Sequence, residues 1–144
     1  MNYEESKNPK TPINQQIETL ASSAIDASVG VHRELGPGLL ESVYEQCLLH
    51  ELTTRGISTK TQVSVPVSYR GLHLESGFRA DLILDDALLI ELKAVESLLL
   101  VHKAQIITYL KLTRLPLGLL INFNVPLLKD GLHRFIHPAL LRNS

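Results

Sequence analysis

The chain has no tryptophan, a single methionine and a single cysteine, and only 5% of its 144 residues are aromatic. One cysteine, Cys47, excludes an internal disulfide framework and any multi-cysteine metal knuckle. No apolar run approaches the roughly 20 residues that span a bilayer. The start, MNYEESKNPK, is polar and partly acidic and does not read as a signal peptide. HExxH, GxSxG and Walker-loop patterns are all missing. Neither sign of charge prevails: 14 basic residues against 15 acidic leave a net −1, which excludes an evenly basic coat for indiscriminate nucleic-acid binding. The expectation is a soluble, cytoplasmic, single-domain protein with no membrane partner.

What is present is a globular composition, 44% hydrophobic and 20% charged. A chain this long buries roughly 68–70% of its unfolded surface, enough for one core. The balanced charge conceals an asymmetry. Residues 1–96 carry 8 basic and 14 acidic groups, whereas residues 97–144 carry 6 basic and 1 acidic. The basic last third (Lys103, Lys111, Arg114, Lys129, Arg134, Arg142) suits a phosphate backbone if those groups share a face with the site; otherwise they are ordinary solvated charges.

Hydrophobic periodicity divides the chain. Residues 1–12, with two prolines and many polar groups, read as a flexible tail, and residues 13–144 as one domain. Ile17, Leu20, Ala24, Ala27, Val31 and Leu35 mark one face of an amphipathic helix that Gly36-Pro37-Gly38 stops. A second helix spans about Leu39 to Arg55, with Gly56 as its C-terminal cap. Val63, Val65, Val67 and Tyr69 alternate with polar residues as a half-buried strand in which Pro66 argues for an edge or a bulge. A short strand at Leu72–Leu74 follows. Phe78–Leu84 and Leu88–Lys93 flank Asp85-Asp86 as a hairpin. Leu98–Leu112 is helical again, Leu117–Phe123 is a buried strand, and Leu132–Ile136 a short last strand. The fold class is α/β, of the α+β-like kind with a mixed sheet flanked by helices, in the order α-α-β-β-β-α-β.

Asp81 and Glu91-Leu92-Lys93 place two acids and an amine in otherwise apolar strands. Period two sends Glu91 and Lys93 to the same face. A two-residue loop at Asp85-Asp86 pairs Asp81 with Ile90 and turns it away from Glu91. A three-residue loop, Asp85-Asp86-Ala87, or one bulge, sets Asp81 against Glu91, and this second register is the one expected. Two adjoining carboxylates raise each other's pKa unless a cation neutralises them, and hard oxygen ligands favour Mg²⁺ or Mn²⁺. The competing reading is an Asp–Lys–Glu ion-pair cluster on a solvated face. Glu41 falls on the helical stripe of Tyr44, Leu48 and Leu52, an acid expected in an apolar face and therefore in need of a partner or an ion. Its alternative is a first-turn acid favoured by the helix dipole. His102, Gln105 and Tyr109 form a polar strip along the third helix, for which the plainer reading is a solvated or partner-facing edge. His133-x-x-x-His137 has metal spacing only on a helix, and Pro138 and the strand-like Phe135-Ile136 argue against one. Cys47 reads as a packed thiol.

Gly38-x-x-Glu41-x-x-Tyr44, Arg79-Ala80-Asp81, Glu91-Leu92-Lys93 and Gln105-x-x-x-Tyr109 follow one another in an order that resembles the GxxExxY family of the PD-(D/E)XK nuclease superfamily, over about residues 17–136. Ala80 departs from the proline that often precedes the first acid. The resemblance implies a core in the order α-β-β-β-α-β and hydrolysis of phosphodiester bonds in nucleic acid, DNA by preference, by metal-activated water. Carried over, Asp81 and Glu91 ligate Mg²⁺ or Mn²⁺ with the Leu92 carbonyl as a third oxygen. Lys93 orients the attacking water, and Glu41 holds a water on the metal or a second ion. Gln105 positions Lys93 or the water. His102 and Tyr109 are weaker, substrate-facing candidates, and Tyr44, like Tyr109, serves packing or phosphate contact. The alternative is a nucleic-acid-binding or scaffold module that kept the fold without chemistry; hydrolysis of another phosphoester is a third reading. No residue marks a dimer interface, and a homodimer stays open.

Overall fold

The structure is a computed structural model that describes residues 8–9 and 11–141; most of the expected N-terminal tail, and Arg142, lie outside the described residues. Helix α1 runs Gln15–Leu35 and opens on Asn14, whose side chain accepts the Ile17 backbone N–H at 3.0 Å and so satisfies one of the first-turn donors. Its buried face is Ile17, Leu20, Ala21, Ala24, Ala27 and Val31, the expected stripe apart from Leu35, which is exposed at the helix end. Two polar residues on that face are satisfied: Ser28 donates to the Ala24 carbonyl at 2.8 Å, and His32 Nε2 meets the Val125 carbonyl at 2.8 Å. Gly36, at φ +71°, ends the helix and returns its N–H to the His32 carbonyl.

Helix α2 spans Glu41–Thr54, two residues shorter at its start than expected, and buries Tyr44, Leu48 and Leu52. Strands β1 (Thr59–Tyr69), β2 (Leu72–Leu84), β3 (Leu88–Lys93), β4 (Leu117–Asn122) and β5 (Leu132–Ile136) form one sheet in that spatial order. Helix α3 (Leu100–Thr113) crosses from β3 to β4, which are parallel; the other neighbours are antiparallel. A single 3₁₀ turn at Leu128–Gly131 precedes β5, and a short helix, α4 (Pro138–Leu141), follows it. Helices α1 and α2 cover one face of the sheet, packing on Leu82, Leu84, Leu88, Ile90, Leu92, Leu117, Leu119, Ile121 and Phe123. Helix α3 covers the other through Ile106 and Leu110, against Ile83, Leu89 and Leu120. Every residue of β4 is buried, as a strand covered on both faces requires.

Two details depart from the expected elements. The short strand at Leu72 and the run from Phe78 are one strand, β2, and the Glu75–Gly77 stretch is a bulge: the pairing shifts between Val65↔Phe78 and Val67↔Leu74. A Cβ on Gly77 would lie 2.0 Å from Val67 Cγ2, so only glycine fits there. Pro66 sits at that shift on the edge strand, where its missing N–H costs no ladder bond. Helix α3 begins at Leu100, not Leu98; Leu98 packs against the core while Leu99, Leu100 and Val101 are exposed.

The β2–β3 turn settles the register. Leu84 pairs with Leu88 across Asp85-Asp86-Ala87, and both aspartates take φ +51°, a conformation aspartate tolerates better than most residues. The three-residue loop is therefore the one formed, and it brings Asp81 level with Glu91.

Tyr44 ties α2 to its surroundings. It is fully buried and stacks on Phe123 with ring centroids 4.5 Å apart. Its hydroxyl donates to the Gly36 carbonyl at 2.6 Å and accepts the Leu39 N–H at 3.1 Å. Tyr44→Phe keeps the stack and leaves those loop groups without a partner. We expect a loss of about 1–2 kcal/mol in urea unfolding with an unchanged denaturant slope. An unaltered midpoint would show that the loop does not depend on the hydroxyl.

Candidate active site

The centre of the site is a break in the β2–β3 ladder. Regular pairing stops at Leu82↔Ile90. One step further, side chains take over from the backbone. Asp81 Oδ2 accepts the Leu92 N–H at 2.8 Å, and Glu91 Oε2 accepts the Asp81 N–H at 3.2 Å. Each strand thus lends a backbone donor to the other's carboxyl. Glu91 Oε1 is left buried with no hydrogen-bond partner.

A cavity of about 80 Å³ opens at this break, lined by Arg79, Asp81, Glu91, Lys93, His102, Gln105 and Tyr109 over an apolar floor that includes Ile106 and Leu120. It has room for an ion and a few waters, not for a nucleotide. Lys93, half-buried, makes no ion pair among the described residues. The chain beyond it is held by buried Asn122, which pairs with Lys93 in the parallel ladder. The Asn122 amide donates to the Val95 carbonyl at 2.9 Å, and its oxygen accepts the Val95 N–H at 3.1 Å. His102 accepts the Leu99 N–H through Nδ1 at 3.0 Å, closing the first turn of α3. Tyr109 stacks on Phe78 with ring centroids 3.9 Å apart.

The electrostatics centre on the same acids. Burial pushes the Glu91 carboxyl up to about 9, helped by a hydrogen bond with the Asp81 carboxyl and by its charge, with Lys93 opposing weakly. Glu41 is raised by desolvation first and by Asp81 next, against a lowering pull from Lys93. Glu45 is also raised by desolvation and by Asp81, in part offset by its bond to Gln62. Burial and the charges of Glu91 and Asp81 raise Tyr109. An acid pair that must keep a proton, with one buried oxygen unpartnered, is the donor set a hard divalent cation satisfies.

The expected residues are thus divided. Asp81, Glu91, Lys93, His102, Gln105 and Tyr109 line one cavity. Glu41 does not line it and is not buried in an apolar stripe: it is the exposed first residue of α2, at the open end of the stripe that Tyr44, Leu48 and Leu52 form, close enough for Asp81 and Lys93 to act on it. Among the described residues no three His, Cys, Asp or Glu side chains gather as one metal group, so the expected ligand set of Glu41, Asp81 and Glu91 is a contacting pair with an outlying third. Tyr44 serves packing, since its ring and hydroxyl are committed to Phe123 and the Gly36–Leu39 loop. Of the last third, none of the described lysines and arginines lines the cavity, whose cations are Arg79 and Lys93 from the acidic body. Arg134 forks onto Glu18, and Arg114 donates to the Asn8 carbonyl.

Sequence reasoning assigned no role to Arg79, Glu45, Gln62 or Asn122. Two had a readable signal: Arg79 stands two residues before Asp81 in a strand, and Glu45 one helical turn after Glu41.

The PD-(D/E)XK nuclease superfamily model matches residues 18–135. The chain belongs to this superfamily. Its five-stranded mixed sheet flanked by helices is consistent with the restriction-endonuclease-like fold of that superfamily. Among solved structures, one described as the crystal structure of SSO0001 is similar at 20% identity and a TM-score of 0.49, covering 88% of this chain and 64% of its own. The chain thus spans about two thirds of the length of that structure. No curated protein matches it. No helix among the described residues is long and apolar enough to cross a membrane.

The raised Glu91 carboxyl has a measurable consequence. Folded protein keeps a proton that the unfolded chain, titrating near 4.5, releases. This contribution to stability is full below that value and is lost as pH rises toward 9. Metal-free protein should therefore lose stability between about pH 5 and pH 9, by at most about 1.4 kcal/mol per unit from this one proton. Glu91→Gln should flatten the profile. Urea unfolding at several pH values checks this, and a slope preserved in Glu91→Gln would place the proton elsewhere.

Proposed function

We propose that this member of the superfamily is a divalent-metal-dependent nuclease of the GxxExxY type that hydrolyses phosphodiester bonds, in DNA by preference. The observation that carries the reading is the gathering of Asp81, Glu91, Lys93 and Gln105 around one small cavity, in a chain whose superfamily matches over residues 18–135. Asp81 and Glu91 would hold a Mg²⁺ or Mn²⁺ ion, and the resemblance adds the Leu92 backbone carbonyl as a further oxygen. When bound, the ion supplies positive charge against the phosphate and acidifies water at neutral pH. To serve as a ligand, Glu91 would release its proton to solvent. Lys93 contributes a cation to the developing phosphate charge and orients the nucleophile. Gln105, with one donor and one acceptor end, fixes the direction of that water. Glu41, outside the cavity lining but coupled to the charges of Asp81 and Lys93, would accept from the outer waters. Arg79 and Lys93 draw the backbone over a cavity too small to admit it.

A second reading, a nucleic-acid-binding or scaffold module without chemistry, is favoured by the lack of a three-acid metal group among the described residues. The two part on metal and turnover. We expect calorimetry to show Mn²⁺ binding to the wild type that Asp81→Asn and Glu91→Gln each weaken about tenfold or more. Lys93→Ala should bind Mn²⁺ within about threefold of wild type and cleave about 100-fold more slowly. A panel of labelled DNA and RNA substrates with Mn²⁺, wild type against Asp81→Ala, reads both arms. Retention without cleavage supports the scaffold, and cleavage by Lys93→Ala at the wild-type rate removes the role given to the amine.

A further inference from the structure

Gln62 interrupts β1 at the point that faces Asp81. The β1–β2 pairing runs through Thr61↔Leu82 and resumes at Val63↔Ala80, with Gln62 unpaired between them at φ +49°. The left-handed region suits glycine and, less well, asparagine or aspartate; a glutamine in mid-strand is out of place there. The core changes sides at the same point. Period two would keep Ala80 on the face of Leu82, which packs under α1 and α2, yet Ala80 packs in the cluster under α3.

The glutamine side chain has a use for this placement. Its Nε2 donates to Glu45 Oε1 at 2.7 Å and lies 3.3 Å from Asp81 Oδ1. Asp81 Oδ2 is already taken by the Leu92 N–H, so the amide engages the oxygen that remains. One NH₂ group has two hydrogens, and here they reach the two carboxyls that flank it, one from α2 and one from the sheet. An amide carries no formal charge and does not titrate here, so it can hold Asp81 without neutralising the carboxylate that a metal needs.

We propose that Gln62 is a positioning residue: its amide fixes the Asp81 carboxyl at the angle where it shares a divalent cation with Glu91, and ties that carboxyl to Glu45 on α2. The inference rests on the metal-site reading above. It goes beyond it in giving a role to a residue outside the cavity lining and in explaining why the strand is distorted where it faces Asp81.

The decisive variant is Gln62→Gly. Glycine adopts a positive φ freely, so the backbone is relieved while the amide is lost. The expected result is a metal-free thermal midpoint equal to or above wild type, together with Mn²⁺ binding about tenfold weaker by calorimetry. Gln62→Met keeps the length of the side chain and the backbone strain but loses the amide, and should weaken Mn²⁺ binding to a similar extent. Gln62→Gly that binds Mn²⁺ as wild type does, or that loses affinity only in step with stability, overturns the proposal and leaves Gln62 a structural residue. If wild type itself binds no Mn²⁺, the metal-site reading falls and the positioning role falls with it, an outcome distinct from normal binding by both variants.

Discussion

Two carboxyl groups facing each other in the interior of a sheet are an arrangement that folding alone would avoid. Desolvation and mutual repulsion both oppose it, and an apolar pair in the same register would pack without either cost. Here the pair is made tolerable by local means. The strands stop pairing with each other and donate their N–H groups to the carboxyls: Leu92 to Asp81, and Asp81 to Glu91. Burial, and then the Asp81 carboxyl, push Glu91 up to about 9, so it keeps a proton and the remaining charge is suppressed. One oxygen still has no partner. Everything else near the site is arranged around this unfinished polar centre, from the amide of Gln62 on one side to the amine of Lys93 on the other.

The surrounding structure is what makes such a defect affordable. β3 and β4 form the parallel centre of the sheet, and every residue of β4 is buried. The apolar residues that alternate with Glu91 and Lys93 (Ile90 and Leu92) anchor β3 against α1 and α2, while Leu89 anchors it against α3. Burial of large aliphatic side chains stabilises by about 1.5–3 kcal/mol each, so a handful outweighs one strained carboxyl pair. Asn122 then closes the edge of the site: its amide mimics a strand partner for Val95, and the chain after Lys93 stays in place where regular pairing has ended. The site is distorted because the scaffold on either side of it is not.

Elements with strong periodicity were legible in the sequence, and so was the site's composition. The stripe on α1, the continuous apolar run of β4 and the polar strip His102, Gln105, Tyr109 each follow from side-chain spacing alone. Register was legible only as a choice, because Asp85-Asp86 fits a two-residue turn as readily as the three-residue loop that forms. The place of Glu41 was misjudged for a physical reason. A helical wheel assigns a direction around the axis and carries no information about where the helix ends, and Glu41 projects from the first residue, beyond the core that Tyr44, Leu48 and Leu52 fill. Gln62 was not legible at all. It reads as the polar member of an alternating strand, and its positive φ and contacts with Glu45 and Asp81 come from residues 17 to 19 positions away.

Charge distribution along the chain proved a poor guide to charge distribution in space. The last third is basic, yet its described arginines are engaged at the periphery, Arg134 on Glu18 of α1 and Arg114 on the Asn8 carbonyl. The cations beside the acid pair, Arg79 and Lys93, come from the acidic two thirds and sit on the same strands as the acids they face. This is economical in contact order: β2 and β3 are joined by a three-residue loop, so acids and cations are set by one hairpin. The contributions of α2 need long-range packing, to which Tyr44 is central. Its stack on Phe123, just past the end of β4, fixes the helix against the sheet. Its hydroxyl fixes the loop from which the helix starts. Glu41 and Glu45 lie one turn apart on that helix, so the seating of α2 through Tyr44, Leu48 and Leu52 sets how far both acids stand from Asp81.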